Sequence, residues 1–257
     1  MAVTFAAEGP VGIITLDKPP ANSYDIDYVR ELAAAVDSAA GDDAVKVVVL
    51  RSASEKFFCA GADIKAFQAN TVEANMEMIE FAHETLYGIS RVPKVFIAEI
   101  GGHTLGGGLE IALSCDLRFG AEGGYGIGLP EVTLGILPGN GGTQRLPRLI
   151  GWSAALDLMA TGRALTPAEA HDLGVLNRLF QADELRDRTL EYAQTLAGGA
   201  TKAIGNIKLA VHEGFEVGLK EALERERELV AELFASEDGR EGISAFSEKR
   251  KPEFKGR

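Results

Sequence analysis

The chain has 257 residues, 46% hydrophobic and 25% charged, the make-up of an ordinary globular protein long enough to bury a substantial core. Its formal net charge is −12 and its one basic run is Lys249-Arg250-Lys251, so a nucleic acid finds no positive stripe to bind. Cys59 and Cys115 are too few for a disulfide framework, and no window nears the roughly 18 apolar residues of a membrane helix; both points argue for the reducing cytoplasm and against a membrane partner.

Residues 3–7 and 11–16 alternate or run apolar around Glu8-Gly9-Pro10 and predict a hairpin. Lys18-Pro19-Pro20-Ala21-Asn22-Ser23 breaks that pattern, and a helix is expected over 25–40, with Ile26, Val29, Leu32, Ala33 and Val36 on one face and Gly41 as its stop. Residues 45–50 are almost uninterrupted Val and Leu, which suits a strand covered on both faces. Residues 54–65 follow no regular period and are rich in small residues around Gly61, where a close backbone approach is expected. A second helix is predicted over 71–90, with Val72, Met76, Ile79, His83 and Leu86 at helical spacing and Val92-Pro93 ending it before a buried strand at 94–100. Strand, helix and strand in repetition indicate an α/β core.

Gly101-Gly102-His103-Thr104-Leu105-Gly106-Gly107-Gly108-Leu109-Glu110 follows, so its glycines are expected where a strand turns into a helix. Glycines there let a ligand approach the backbone and meet unpaired N–H groups, with Glu110 in the first helical turn beside them. Next come a short strand at 115–119, a glycine-rich stretch at 120–128, and a helix opening at Leu129-Pro130-Glu131 with Pro130 at its first position. Residues 135–142 form a turn cluster, and Thr166-Pro167-Ala168-Glu169 is a capping box for a short helix closed by Gly174. From about residue 183 only helices are expected. The shift in composition near 195 divides a core over 1–195 from a helical segment over 196–257, whose apolar face must pack on the core or on another subunit.

Glycine loops often hold nucleotides, but Gly102 to Gly107 is followed by Gly108-Leu109 where a P-loop has Lys-Ser/Thr, and in Gly139-Asn140-Gly141-Gly142-Thr143-Gln144 the third glycine of a dinucleotide fingerprint is replaced by Gln144. His83, His103, His171 and His212 are scattered, which gives no metal site, and no Gly-x-Ser-x-Gly elbow is present. Two glutamates remain, Glu110 and Glu131, each flanked by apolar residues where a solvated surface carboxylate is out of place. Two carboxyls in one dry site drive their pKa values apart, so that one holds a proton while the other accepts one, which suits acid/base work on a bound water.

Taken together, Phe58-Cys59-Ala60-Gly61-Ala62-Asp63-Ile64, Leu105-Gly106-Gly107-Gly108-Leu109-Glu110, Leu129-Pro130-Glu131 and Pro138-Gly139-Asn140-Gly141-Gly142-Thr143-Gln144-Arg145-Leu146 resemble the enoyl-CoA hydratase (crotonase) family, and the resemblance runs from Pro19-Pro20-Ala21-Asn22 to Ala245–Pro252. It implies an α/β crotonase-type ββα spiral core with a helical C-terminal segment, assembled as a homotrimer or homohexamer. It also implies an acyl-coenzyme A thioester substrate whose carbonyl oxygen lies between the N–H groups of Ala62 and Gly107. Such an oxyanion hole contributes about 3–4 kcal/mol per donor. By the same resemblance Glu110 and Glu131 are the acid/base pair, Lys56 and Ala60 lie along the coenzyme A path, Phe246 walls the acyl or pantetheine end, and Lys249 reaches a phosphate of a neighbouring subunit's ligand. No metal or cofactor is implied beyond the coenzyme A of the substrate.

The sequence departs from the family's pattern at Gly123–Pro130, one residue longer than usual, with Ile127 in the position of an aromatic. The expected activity is reversible hydration of a trans-2-enoyl-CoA to a 3-hydroxyacyl-CoA. The rivals are an enoyl-CoA isomerase, which in this family can work with the carboxylate at 131 alone, another lyase of the family, and a non-catalytic RNA-binding member, disfavoured by the charge of −12. A serine peptidase on the related Clp-type fold lacks its serine motif.

Overall fold

A computed structural model describes all 257 residues. The hairpin is present as β1 (Val3–Glu8) and β2 (Val11–Leu16), antiparallel about Gly9 at φ +61°. The helix α1 (Ile26–Gly41) is capped by Asp25, whose carboxylate accepts the N–H of Tyr28, and it buries Tyr28, Val29, Leu32, Ala35, Val36 and Ala39. There follow β3 (Val47–Ser52), the short β4 (Phe57–Cys59), α2 (Ile64–Ala69) and α3 (Val72–Arg91) capped by Thr71. Next are β5 (Val95–Ile100), β6 (His103–Leu105) and α4 (Gly107–Ser114). The strands β7 (Leu117–Ala121) and β8 (Ile127–Gly128) lead to a 3₁₀ turn at Glu131–Leu134.

The chain continues through α5 (Gly142–Ile150), α6 (Trp152–Thr161), α7 (Pro167–Asp172) with its Thr166–Glu169 capping box, and β9 (Arg178–Phe180). It ends in α8 (Leu185–Ala197), α9 (Thr201–Gly214), α10 (Leu219–Ala235) and α11 (Glu237–Glu248).

Two sheets result, one of six strands in the order β1-β2-β3-β5-β7-β9 and one of three in the order β4-β6-β8. Three successive passes, β3/β4, β5/β6 and β7/β8, each give a strand to the large sheet and then one to the small sheet, so the chain advances as a spiral. The Val-rich strands have a physical reason. Val48 and Leu50 of β3 join the main core with Phe96 and Ile100, while Val47 and Val49 point the other way and pack with Val95, Ile97 and Leu185 beneath α8. A strand covered on both faces favours apolar side chains at successive positions.

Four expectations change. The strand at 95–100 does not turn directly into a helix, because β6 stands between and the chain first crosses to the small sheet at Gly101-Gly102. A Cβ on Gly102 would fall 2.7 Å from the Phe57 nitrogen, so only glycine lets the crossing pass so close to β4. Cys115 caps α4 and is not part of a strand, and β7 starts at Leu117. Pro130 is the cap of a 3₁₀ turn and not the first residue of a helix. The inward faces of two helices differ: Ala33 is only half-buried while Ala35 and Ala39 complete that of α1, and α3 turns Met78, Ala82, Thr85, Leu86 and Ile89 inward while Val72 and Met76 stand exposed.

Candidate active site

The small sheet assembles the site. Its three parallel strands pair through Cys59↔Thr104, Thr104↔Ile127 and Leu105↔Gly128, with a bulge between Phe57 and Cys59, so the residues after each strand leave at one edge. Those residues are Ala60-Gly61-Ala62, Gly106-Gly107 and Leu129-Pro130-Glu131. Strand ends of this kind are where an α/β fold presents ligand groups.

Gly106, at φ +55°, turns the chain from β6 into α4, and Gly61 is also left-handed at φ +93°. A Cβ on Gly61 would stand 3.2 Å from the Gly107 nitrogen, and one on Gly108 would collide with the Cys59 carbonyl. The two backbones therefore approach more closely than side chains permit. Ala62 is bridged to Tyr24 through Tyr24 N–H to Gly61 O (3.0 Å) and Asp63 N–H to Tyr24 O (2.8 Å), which leaves the N–H of Ala62 without an acceptor in the chain. Gly107 opens α4, where N–H groups lack intrahelical acceptors and no side chain caps them.

Glu110 is 1% exposed, and its Oε1 accepts from the N–H groups of Asn140 and Gly142, each at 2.7 Å. Gly141, at φ +100°, aims both amides at it. Burial raises the carboxyl above its ordinary range, and the two amides and the charge of Arg145 offset part of that rise. Glu131 rests its Oε1 over Gly106, where a Cβ would come within 2.9 Å, and its Oε2 is buried with no hydrogen-bond partner. Burial, with the Glu110 charge adding to it, pushes Glu131 up to about 7.

Residues 6–257 match the family model for enoyl-CoA hydratase/isomerase. The chain belongs to the enoyl-CoA hydratase/isomerase family. It is 40% identical over 255 residues to a probable enoyl-CoA hydratase of Rhizobium meliloti, covering 97% of this chain and 96% of that one. It is 37% identical over 258 residues to the short-chain-enoyl-CoA hydratase of Clostridium acetobutylicum, covering 99% and 98%. The crystal structure of an enoyl-CoA hydratase from Geobacillus kaustophilus HTA426 superposes with a TM-score of 0.98 at 48% identity, over 100% of this chain and 97% of that one. The spiral core with its helical C-terminal part is thus the crotonase-type fold of the family.

The other residues that the family resemblance brings forward fall into two groups. Half-buried Ala60 donates its N–H to Ala21 O at 3.0 Å beside Gly61, and exposed Lys56 lies just before β4 with its ammonium 5.6 Å above the Phe57 ring. These two border the strand ends that carry Ala62 and Gly107. Phe246 and Lys249 stand at the end of α11, which packs on α10, and Phe246 is 88% exposed, so within one chain it walls nothing. Ile127 is fully buried in β8, while the Tyr125 hydroxyl lies 2.9 Å from Ile100 O and ties down the long 123–128 stretch.

One residue of the site was not legible from the sequence. Tyr24, 3% exposed, receives a hydrogen bond on its hydroxyl from Asn140 Nδ2 at 2.5 Å, and a Cβ on Gly107 would coincide with that hydroxyl. A tyrosine directly before the helix cap Asp25 reads as core packing, and only the Asn22 turn, left-handed at φ 54°, hints that the segment is held in place for a purpose. No three His, Cys, Asp or Glu side chains converge into a metal-holding group, and no helix is long and apolar enough to cross a membrane.

Proposed function

We propose that this family member is an enoyl-CoA hydratase that adds water reversibly, in the syn sense, to a trans-2-enoyl-CoA. The observation that carries this reading is the pair of carboxyls in contrasting environments: buried Glu110 braced by two amides, and half-buried Glu131 with an unpartnered oxygen and a carboxyl pushed up to about 7. A carboxylate at 131 alone would serve isomerisation; water addition needs the second base that Glu110 supplies.

In the hydration direction, ionised Glu110 takes a proton from water as the oxygen bonds to the β-carbon. The π electrons move through the α-carbon onto the thioester oxygen, where the N–H groups of Ala62 and Gly107 stabilise the enolate. Protonated Glu131 then delivers its proton to the α-carbon, the carbonyl re-forms, and exchange with solvent resets the two carboxyls. The substrate brings its own coenzyme A, and no step calls on a metal or a redox cofactor. Lys56 and Ala60 are assigned to the coenzyme A path on their place at the β4 edge.

We assign the chain to a homotrimer or homohexamer. A groove of about 1040 Å³ runs along α9 and is lined by Leu117, Leu196, Ile204, Ile207, Val211 and Phe215, an apolar surface of the kind that a subunit covers. In such an assembly Phe246 and Lys249 serve the site of a neighbour, which fits their exposure. Two buried, unpaired cysteines suit a cytoplasmic enzyme. Crotonyl-CoA offered to the pure protein should lose its enoyl absorbance and yield 3-hydroxybutanoyl-CoA. Migration of a double bond in a 3-enoyl-CoA without any water addition would replace this reading with an isomerase.

A further inference from the structure

The polar inventory around the two glutamates is unbalanced. Two acceptors have no partner, Glu131 Oε2 and Asn140 Oδ1. One donor is unspent: the Tyr24 hydroxyl receives a bond from Asn140 but gives its own proton to no atom of the chain. These groups adjoin one another, because Tyr24 Oη occupies the Cβ place of Gly107, Glu131 Oε1 crowds that of Gly106, and Asn140 supplies both a side-chain bond to Tyr24 and a backbone bond to Glu110. Buried polar groups left this way call for a ligand that supplies the missing partners. Water, which gives and receives hydrogen bonds at once, complements this set.

Resting on the hydratase reading above, we infer that Tyr24 is a positioning residue for the attacking water: its hydroxyl donates to the water oxygen, and equally to the 3-hydroxyl of the product. The bond leaves the water's hydrogens for Glu110, the base, whose Oε2 takes no bond from the chain, and for Asn140 Oδ1, and turns its remaining lone pair toward the β-carbon. Burial, with the charge of Glu110 adding to it, raises the phenol well above its ordinary range, so that Tyr24 keeps its proton at any working pH. Glycine at 107 then has two uses, to bare its own N–H and to leave room for the hydroxyl of Tyr24.

The test separates water addition from chemistry at the α-carbon. Exchange of the α-protons of butanoyl-CoA with deuterated solvent uses the oxyanion hole and a carboxylate but places no water at the β-carbon. Tyr24→Phe should lower kcat for crotonyl-CoA hydration about 10–100-fold with KM within about threefold, while α-proton exchange stays within about threefold of the parent enzyme. Exchange also reports that the site has folded. Equal loss of both activities would overturn the inference, because Tyr24 would then merely support the oxyanion hole, and unchanged hydration would overturn it as well. If the parent protein itself exchanges the α-proton but hydrates no enoyl-CoA, the hydratase reading falls and takes the Tyr24 role with it.

Discussion

The ends of β6 and β8 lie side by side, each followed by a glutamate, and the two ends treat the same side chain differently. After β6 the chain enters α4, every residue of which is buried, and Glu110 is met by two backbone amides from the left-handed turn at Gly141. After β8 it enters a single 3₁₀ turn with no buried residue, and Glu131 meets a glycine while its Oε2 takes no bond from the chain. Amides favour the ionised form of one carboxyl, and burial without partners favours the protonated form of the other. On the proposed reading, a base and an acid thus arise from one residue type through what each strand end offers its carboxyl.

The sharpest way to break this contrast is to neutralise each side separately. Glu110→Gln and Glu131→Gln should each lower hydration turnover by about 10³–10⁴-fold, with coenzyme A binding by calorimetry largely intact. The contrast demands more than equal losses. In Glu110→Gln, exchange of the butanoyl-CoA α-proton should survive within about tenfold of the parent, because Glu131 still serves that carbon; in Glu131→Gln it should vanish with hydration. The reverse pattern would exchange the two roles.

How far the sequence shows these regions follows from their lengths. The helices at 26–41 and 72–91 span several turns, so their existence and extent are visible even though the inward face of the second is offset from the one its sequence suggests, and the Thr166–Glu169 box is local by nature. The strands β4, β6 and β8 have three, three and two residues, too few to show alternation, although they bring the site together. Glu110 and Glu131 stand out as carboxyls among apolar neighbours. That they meet, and that Asn140 and Tyr24 join them, depends on backbone contacts between residues up to 116 apart, which no local pattern encodes. The Trp152–Thr161 helix buries only Ala155 and Leu158 and leaves Trp152 and Leu156 exposed, so its apolar residues mark no single face in the sequence.

A milder test titrates the contrast instead of deleting it. With Glu131 held at about 7 and needed in its protonated form, kcat/KM for hydration should fall about tenfold for each pH unit above that value. On the acid side it should fall once Glu110, itself raised by burial, takes up a proton. The residual activity of Glu131→Gln should lack the alkaline limb. A profile of the parent enzyme that stays flat from about pH 6 to 9 would remove Glu131 as the acid.

The smallest effect is on stability, and its sign follows from the same shift. In the unfolded chain Glu131 titrates near the ordinary 4.5, while in the folded protein it holds its proton to about 7. Between those values the folded state binds the extra proton, so unfolding free energy falls as pH rises through the interval and stays lowered above it. Each pH unit there is worth up to about 1.4 kcal/mol, and solvent access to a half-buried carboxyl reduces the whole effect to about 1–2 kcal/mol. Glutamine at 131 cannot ionise. Between pH 5 and pH 8, the parent protein should therefore lose about 1–2 kcal/mol more stability than Glu131→Gln, a difference of a few degrees in Tm. Glu110→Gln should show a smaller differential, since its two amides already offset part of the burial that raises Glu110. Equal pH dependence in the parent and in Glu131→Gln would mean that solvent reaches the carboxyl at 131 as freely as it does in the unfolded chain, and the distinction between the two strand ends would lose its electrostatic basis.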